Sequence, residues 1–113
     1  MKINYNSKRF SAVSNSANGL VSKSMVFNYS QQGNVLTAFY RGEQIVEGHL
    51  IGLVDSEGCI DMRYHQINAD GKLMTGVCRS IPEVLSNGKI RLHESWQWTS
   101  GDLSKGNSIL EEL

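Results

Sequence analysis

Apolar and polar residues alternate along most of this chain, and glycine- or asparagine-containing pairs interrupt the alternation at short intervals. Asn18-Gly19, Gln32-Gly33-Asn34, Arg41-Gly42, Glu57-Gly58, Asp70-Gly71, Asn87-Gly88 and Gly101-Asp102 read as turns. Hairpin turns need positive φ, which glycine and asparagine adopt at least cost. The segments between are rich in Val, Ile, Thr, Tyr, Phe and Trp, the residues that fit a pleated surface. The pattern predicts strands near 8–13, 24–31, 34–41, 44–54, 59–67, 72–81, 89–98 and 107–112. No window carries the period of about 3.6 residues that marks an amphipathic helix. The Ser/Asn-rich stretch 14–23 reads as a loop or a brief helical turn. Short connections pair sequential strands, and closure removes the two exposed edges of such a sheet. The expected fold is all-β: one domain over 1–113, an antiparallel up-and-down meander of about eight strands closed into a barrel.

Turn lengths then assign faces, because residues opposite one another in a hairpin share a side of the sheet. Two-residue loops at Gln32-Gly33 and Arg41-Gly42 place Met25, Phe27 and Tyr29 with Leu36, Ala38 and Tyr40, and these with Ile45, Glu47, His49, Ile51 and Leu53. A two-residue loop near Ser56 adds Ile60, Met62 and Tyr64. Similar loops at Asp70-Gly71 and Asn87-Gly88 add Val77, Arg79 and Ile81, then Glu94, Trp96 and Trp98, barring a bulge near Pro82. This is the more apolar face and the expected interior. The alternative is a three-residue loop at Ser56-Glu57-Gly58 with glycine in the left-handed region. That loop would move Glu47 and His49 to the side of Asp61, Arg63 and His65, outside.

The first register gives a barrel interior with Glu47, His49, Arg79 and Glu94 among Tyr64, Trp96 and Trp98. Aromatic walls with a few convergent polar groups suit a small-molecule site. These seven residues are the candidate ligand contacts, with Arg79 set against Glu47 and Glu94 and stacked on Trp96. The competing reading is an internal salt-bridge network closing a filled core. The opposite face carries Val26, Val35, Phe39, Val46, Leu50 and Val54. An apolar outer patch of this kind predicts a homodimer through strands 2–4, with Val35, Phe39, Val46 and Leu50 at its centre. Scattered surface valines are the bland alternative.

Composition narrows the chemistry. With 11 Lys and Arg against 11 Asp and Glu, the formal charge is zero, and no basic run would follow a nucleic-acid backbone. The longest apolar stretch, 49–54, is too short to cross a bilayer, and the N-terminus lacks the apolar core of a signal peptide. Two cysteines, Cys59 and Cys78, make no disulfide framework, so a reduced, cytoplasmic setting is the simplest expectation. No metal-ligand spacing, catalytic cysteine motif, serine elbow or phosphate loop is present, so no cofactor and no catalytic residue is expected.

Asp61-Met62-Arg63-Tyr64 and the run from Arg91 to Asp102 resemble a family of small bacterial proteins. The opening Asn4–Phe10 and the ending Ser108–Leu113 are similar to it too, so the likeness covers nearly the whole chain. The resemblance implies an avidin-like or calycin-like barrel. Members often bear the name N-acetylglutamate synthase, which would imply acetyl transfer. The resemblance supplies no catalytic residues. The chain shows neither the glycine-rich loop nor the helix that would hold the pyrophosphate of coenzyme A. An enzyme of this kind, or one using Glu47 or Glu94 beside His49 for acid–base work, is the runner-up to a non-enzymatic binding barrel. A dimeric interaction module with a filled core is the third reading.

Overall fold

A computed structural model of the protein describes residues 3–15 and 25–113, with the side chain of Asn15 left aside. The stretch 16–24, which holds the Asn18-Gly19 signal and most of the expected loop or helical turn, lies outside the described residues. Eight strands form the fold: β1 (Lys8–Asn15), β2 (Val26–Gln32), β3 (Val35–Gly42), β4 (Ile45–Val54), β5 (Ile60–Asn68), β6 (Leu73–Val84), β7 (Ile90–Trp98) and β8 (Lys105–Glu112). Each pairs antiparallel with the next, and β8 returns to β1 to close the barrel. Closure leaves no strand edge unpaired, as the alternating pattern anticipates.

One end of the barrel is plugged by the segment before β1. The Tyr5 hydroxyl donates to the Gly58 carbonyl at 2.5 Å, and the Gln31 side chain accepts from the Tyr5 amide at 2.9 Å. The Tyr5 ring packs with Phe10 and Tyr29, at centroid distances of 6.1 Å to each. Leu36, Ile60, Leu92 and Leu110 complete a fully buried core, each adding roughly 1.5–3 kcal/mol of transfer free energy. At the opposite end Tyr40 and Trp98 are the last inward side chains of β3 and β7, and Gln66 of β5 bonds to Tyr40 there.

Turn lengths explain where the expected faces hold and where they fail. The β2–β3 loop is Gly33-Asn34 rather than Gln32-Gly33, so Tyr29 stands opposite Ala38 in place of Leu36, and the expected shared face is kept. The β3–β4 loop is Glu43-Gln44 rather than Arg41-Gly42, and irregularities at Tyr40/Gly42 and Ile45/Glu47 shift the ladder. Beyond them Gly48, Leu50 and Gly52 face inward, opposite Tyr40, Ala38 and Leu36. Glu47, His49, Ile51 and Leu53 therefore stand outside, whereas Leu50 and Val54 are buried. The next loop, Ser56-Glu57-Gly58, has three residues with Gly58 at φ +83°, which restores Ile60, Met62 and Tyr64 to the interior.

Two more three-residue loops repeat this behaviour. Asn68 bonds to Lys72 across Ala69-Asp70-Gly71, and Leu85 bonds to Lys89 across Ser86-Asn87-Gly88. Gly71 and Gly88 take φ +80° and +85°, the geometry of a type I turn closed by a glycine bulge. The first loop turns Gly76, Cys78 and Ser80 inward, so Val77, Arg79 and Ile81 point out. The second turns the parity back and leaves Glu94, Trp96 and Trp98 inside. The ladder passes through Pro82, opposite Leu92, without a break.

Candidate functional site

A cavity of about 60 Å³ lies inside the barrel, toward the end away from Tyr5. Its aromatic wall is built from Phe27, Tyr40, Tyr64, Trp96 and Trp98. Backbone thinning sets the ring positions. Gly48 lies opposite Tyr40 and Gly76 opposite Tyr64, and a Cβ on either glycine would come within 2.2 Å of the ring. Each tyrosine thus lies across the bare backbone of the neighbouring strand. Tyr64 then meets Trp98 edge-on at 5.4 Å, and Trp98 tilts against Trp96 at 6.0 Å. The Trp96 indole N–H donates to Ser108 Oγ at 2.8 Å, which fixes that ring.

Polar groups enter this wall at three points. Glu94, on β7, is enclosed by protein, and the surface it keeps lines the cavity. Ser80 Oγ donates to Glu94 Oε2 at 2.6 Å. Loss of solvent outweighs that bond and pushes the carboxyl up to about 7. Gln66 accepts from the Tyr40 hydroxyl at 3.0 Å through Oε1, while its Nε2 has no partner. The Tyr29 hydroxyl is also buried without a partner. Both residues line the cavity. Leaving such a group unpaired costs roughly 1–3 kcal/mol, and a ligand that pairs with it recovers this.

The neighbouring ionisable groups stay neutral near pH 7. Burial first, and the nearby Glu94 charge after it, raise the Tyr29 hydroxyl and the Cys78 thiol. Burial also raises Tyr40, with Tyr64, Glu94 and Cys78 adding to it, and Tyr64, with Cys78 and Glu94 adding to it. Cys78 is accordingly a buried neutral thiol rather than a nucleophile.

Of the seven expected ligand contacts, Tyr64, Glu94, Trp96 and Trp98 come together around the cavity. Glu47, His49 and Arg79 do not, because β4 and β6 present the opposite faces. Glu47 accepts from Arg41 at 3.0 Å and lies 3.1 Å from His49 on the outer surface. The Arg41 and His49 contacts lower its carboxyl. Arg79 points to solvent with Asp55 at 3.9 Å, so it neither pairs with Glu94 nor stacks on Trp96. His93 pairs with Glu83 outside at 2.8 Å. Among the described residues no three His, Cys, Asp or Glu side chains converge to hold a metal ion.

Tyr29 and Gln66 were not singled out by sequence reasoning. Tyr29 falls inside by parity, but nothing in the sequence says that its hydroxyl goes unpaired. Gln66 carries a clearer signal: it is a polar residue at a buried inward position of β5.

A closed antiparallel barrel with an aromatic cavity, polar at a few points, defines a class of small β-barrel proteins built around an interior site. The chain belongs to the avidin-like family, whose model, described as avidin-like protein, matches residues 3–113. No curated protein and no solved structure gives a significant match.

Proposed function

We propose that the protein binds a small molecule inside the barrel, by a polar head group that enters the cavity beside Glu94. The observation that carries this reading is the convergence of two unpartnered donors, Tyr29 and Gln66, on a cavity that also receives a carboxyl group. A filled structural core would pair such groups with one another. The size of the cavity limits the head. At about 60 Å³ it is less than half the roughly 150 Å³ that admits a benzene ring. It takes a group of a few heavy atoms, with any larger part of the ligand extending past Trp98 toward the barrel mouth.

Acetyl transfer is not what this geometry supports. The described residues form strands and turns, and none opens a helix whose N–H groups could receive a coenzyme A pyrophosphate. Native mass spectrometry of protein purified without denaturant tests binding. A mass excess that disappears in Trp98→Ala but persists in Arg63→Ala supports it. A bare polypeptide mass from several expression conditions would count against it.

The outer face supports a second, separate proposal: self-association. Phe39, Ile51 and Leu53 are 68%, 56% and 56% exposed, and the β3–β4 register sets them beside Val35. Val46, also exposed, lies on β4 near the turn to β3. The exposed Asp61–Arg63 ion pair borders this patch, so it carries no net charge to repel a second copy. We propose a homodimer through β3 and β4, with Ile51 and Leu53 taking the place that the sequence pattern gave to Leu50. Sedimentation at micromolar concentration tests it, and a monomer there would overturn it.

A further inference from the structure

The chemistry around Glu94 narrows the ligand class, given the binding reading above. We infer that the head group is a small cation, an alkylammonium bearing an oxygen acceptor. Glu94 Oε2 has a neutral partner, Ser80, and among the described residues no lysine, arginine or histidine lines the cavity. The nearest cations on the adjoining strands point away. Arg79 sits on the outer face of β6, and Lys105 of β8 is exposed opposite the exposed Gln97. Among the described residues an ionised Glu94 therefore has no cation beside it in the barrel interior. A buried charge of this kind demands a partner of opposite sign.

The surrounding wall suits the same occupant. Tyr64, Trp96 and Trp98 line the cavity, and aromatic rings attract a cation most strongly where water is excluded. Tyr29 Oη offers lone pairs to an ammonium N–H as readily as it donates. Gln66 Nε2 is a donor and calls for an acceptor, so the ligand also carries an oxygen. A carboxylate ligand would meet Glu94 with like charge. A neutral amide could satisfy the hydrogen bonds but would leave the charge uncompensated.

The two tryptophans of the chain both lie in this wall, so intrinsic fluorescence reports on the site alone. The probes are 2-hydroxyethylammonium chloride, glycolamide and sodium glycolate, at constant ionic strength. They are close in size and differ in charge. Saturable fluorescence change with the ammonium only, at pH 8, is the expected result. Tyr29, Tyr40, Tyr64 and Cys78 face Glu94 and stay protonated from pH 6 to 8. The ammonium keeps its charge over that range, so Glu94 alone governs the pH dependence. With its carboxyl titrating at about 7, the ionised fraction falls about tenfold from pH 8 to pH 6, and apparent affinity falls with it. Glu94→Gln keeps the shape of the side chain and should weaken the ammonium at least tenfold. Glycolamide binding equally in both proteins, with no ammonium binding, would overturn the cation while leaving an interior binding site. No response to any probe would also overturn it, and the co-purification experiment then decides the wider reading independently.

Discussion

Replacing Glu94 by glutamine isolates the energetic consequence of enclosing a carboxyl group in an aromatic cavity. In the unfolded chain the group titrates near 4.5, and in the barrel at about 7. The folded protein therefore holds a proton between those values that the unfolded chain has released. Stability from this group is fully present below about pH 4.5 and is lost as pH rises through about 7. Each pH unit of that separation corresponds to about 1.4 kcal/mol, so about 3 kcal/mol is at stake. Glutamine can still accept from Ser80 but never ionises. The difference in unfolding free energy, variant minus wild type, should climb by about 3 kcal/mol between pH 4.5 and pH 8.5. Urea unfolding at half-unit pH steps measures it, and subtraction removes the contribution of every other titrating group. A flat difference across that range would refute the claim that Glu94 is desolvated. A difference falling with pH would show a hidden cation beside it.

Other perturbations test the register and the two surfaces. Gly76→Ala places a methyl group 2.2 Å from Tyr64 Cζ, so it should displace that ring and cost about 1–3 kcal/mol by thermal unfolding, with altered tryptophan fluorescence. Gly71→Ala meets nothing within 4 Å but keeps φ +80°, so it should cost about 1 kcal/mol with unchanged fluorescence. Arg79→Ala removes an exposed, loosely paired cation and should change stability by less than about 0.5 kcal/mol, with ligand binding unaffected. Phe39→Lys should leave the fold intact and produce a monomer in sedimentation, if the β3–β4 face joins two copies.

Strand count and closure were legible in the sequence because turn chemistry punctuates the chain so regularly. The faces of β2, β3, β5 and β7 were legible too, but those of β4 and β6 were not. The errors came in compensating pairs. An irregularity at Tyr40/Gly42 in the β3–β4 ladder reversed β4, and the three-residue loop at Ser56-Glu57-Gly58 reversed the parity again at β5. Loops 69–71 and 86–88 did the same around β6. So Trp96, Trp98 and Glu94 were placed inside through two errors that cancel. A local signal distinguishes two of these three loops. Asp55 Oδ1 accepts from the amides of Glu57 and Cys59, and Asn68 Oδ1 from those of Asp70 and Lys72. An Asp or Asn just before x-x-Gly is thus the mark of the longer turn.

Apolarity also misled for β4. Its inner face carries Gly48 and Gly52, which look poor as core, and its outer face carries Ile51 and Leu53, which look rich. The glycines are inside because the Tyr40 ring, the Ile60 and Met62 side chains and the Asp61 carbonyl occupy the space where a Cβ would stand. A strand whose inward positions are small beside neighbours whose inward positions are large is packed by its neighbours' side chains. Unpaired donors such as Tyr29 Oη depend on three-dimensional packing and leave no trace in a linear pattern.

A crystal structure of the protein with 2-hydroxyethylammonium, grown at pH 8, tests the central claim most directly. The account predicts density in the cavity within hydrogen-bond reach of Glu94, with Tyr29 Oη and Gln66 Nε2 turned toward it. A collapsed interior, with Tyr29 and Gln66 bonded to Glu94 or to each other and no room between the rings, would contradict it.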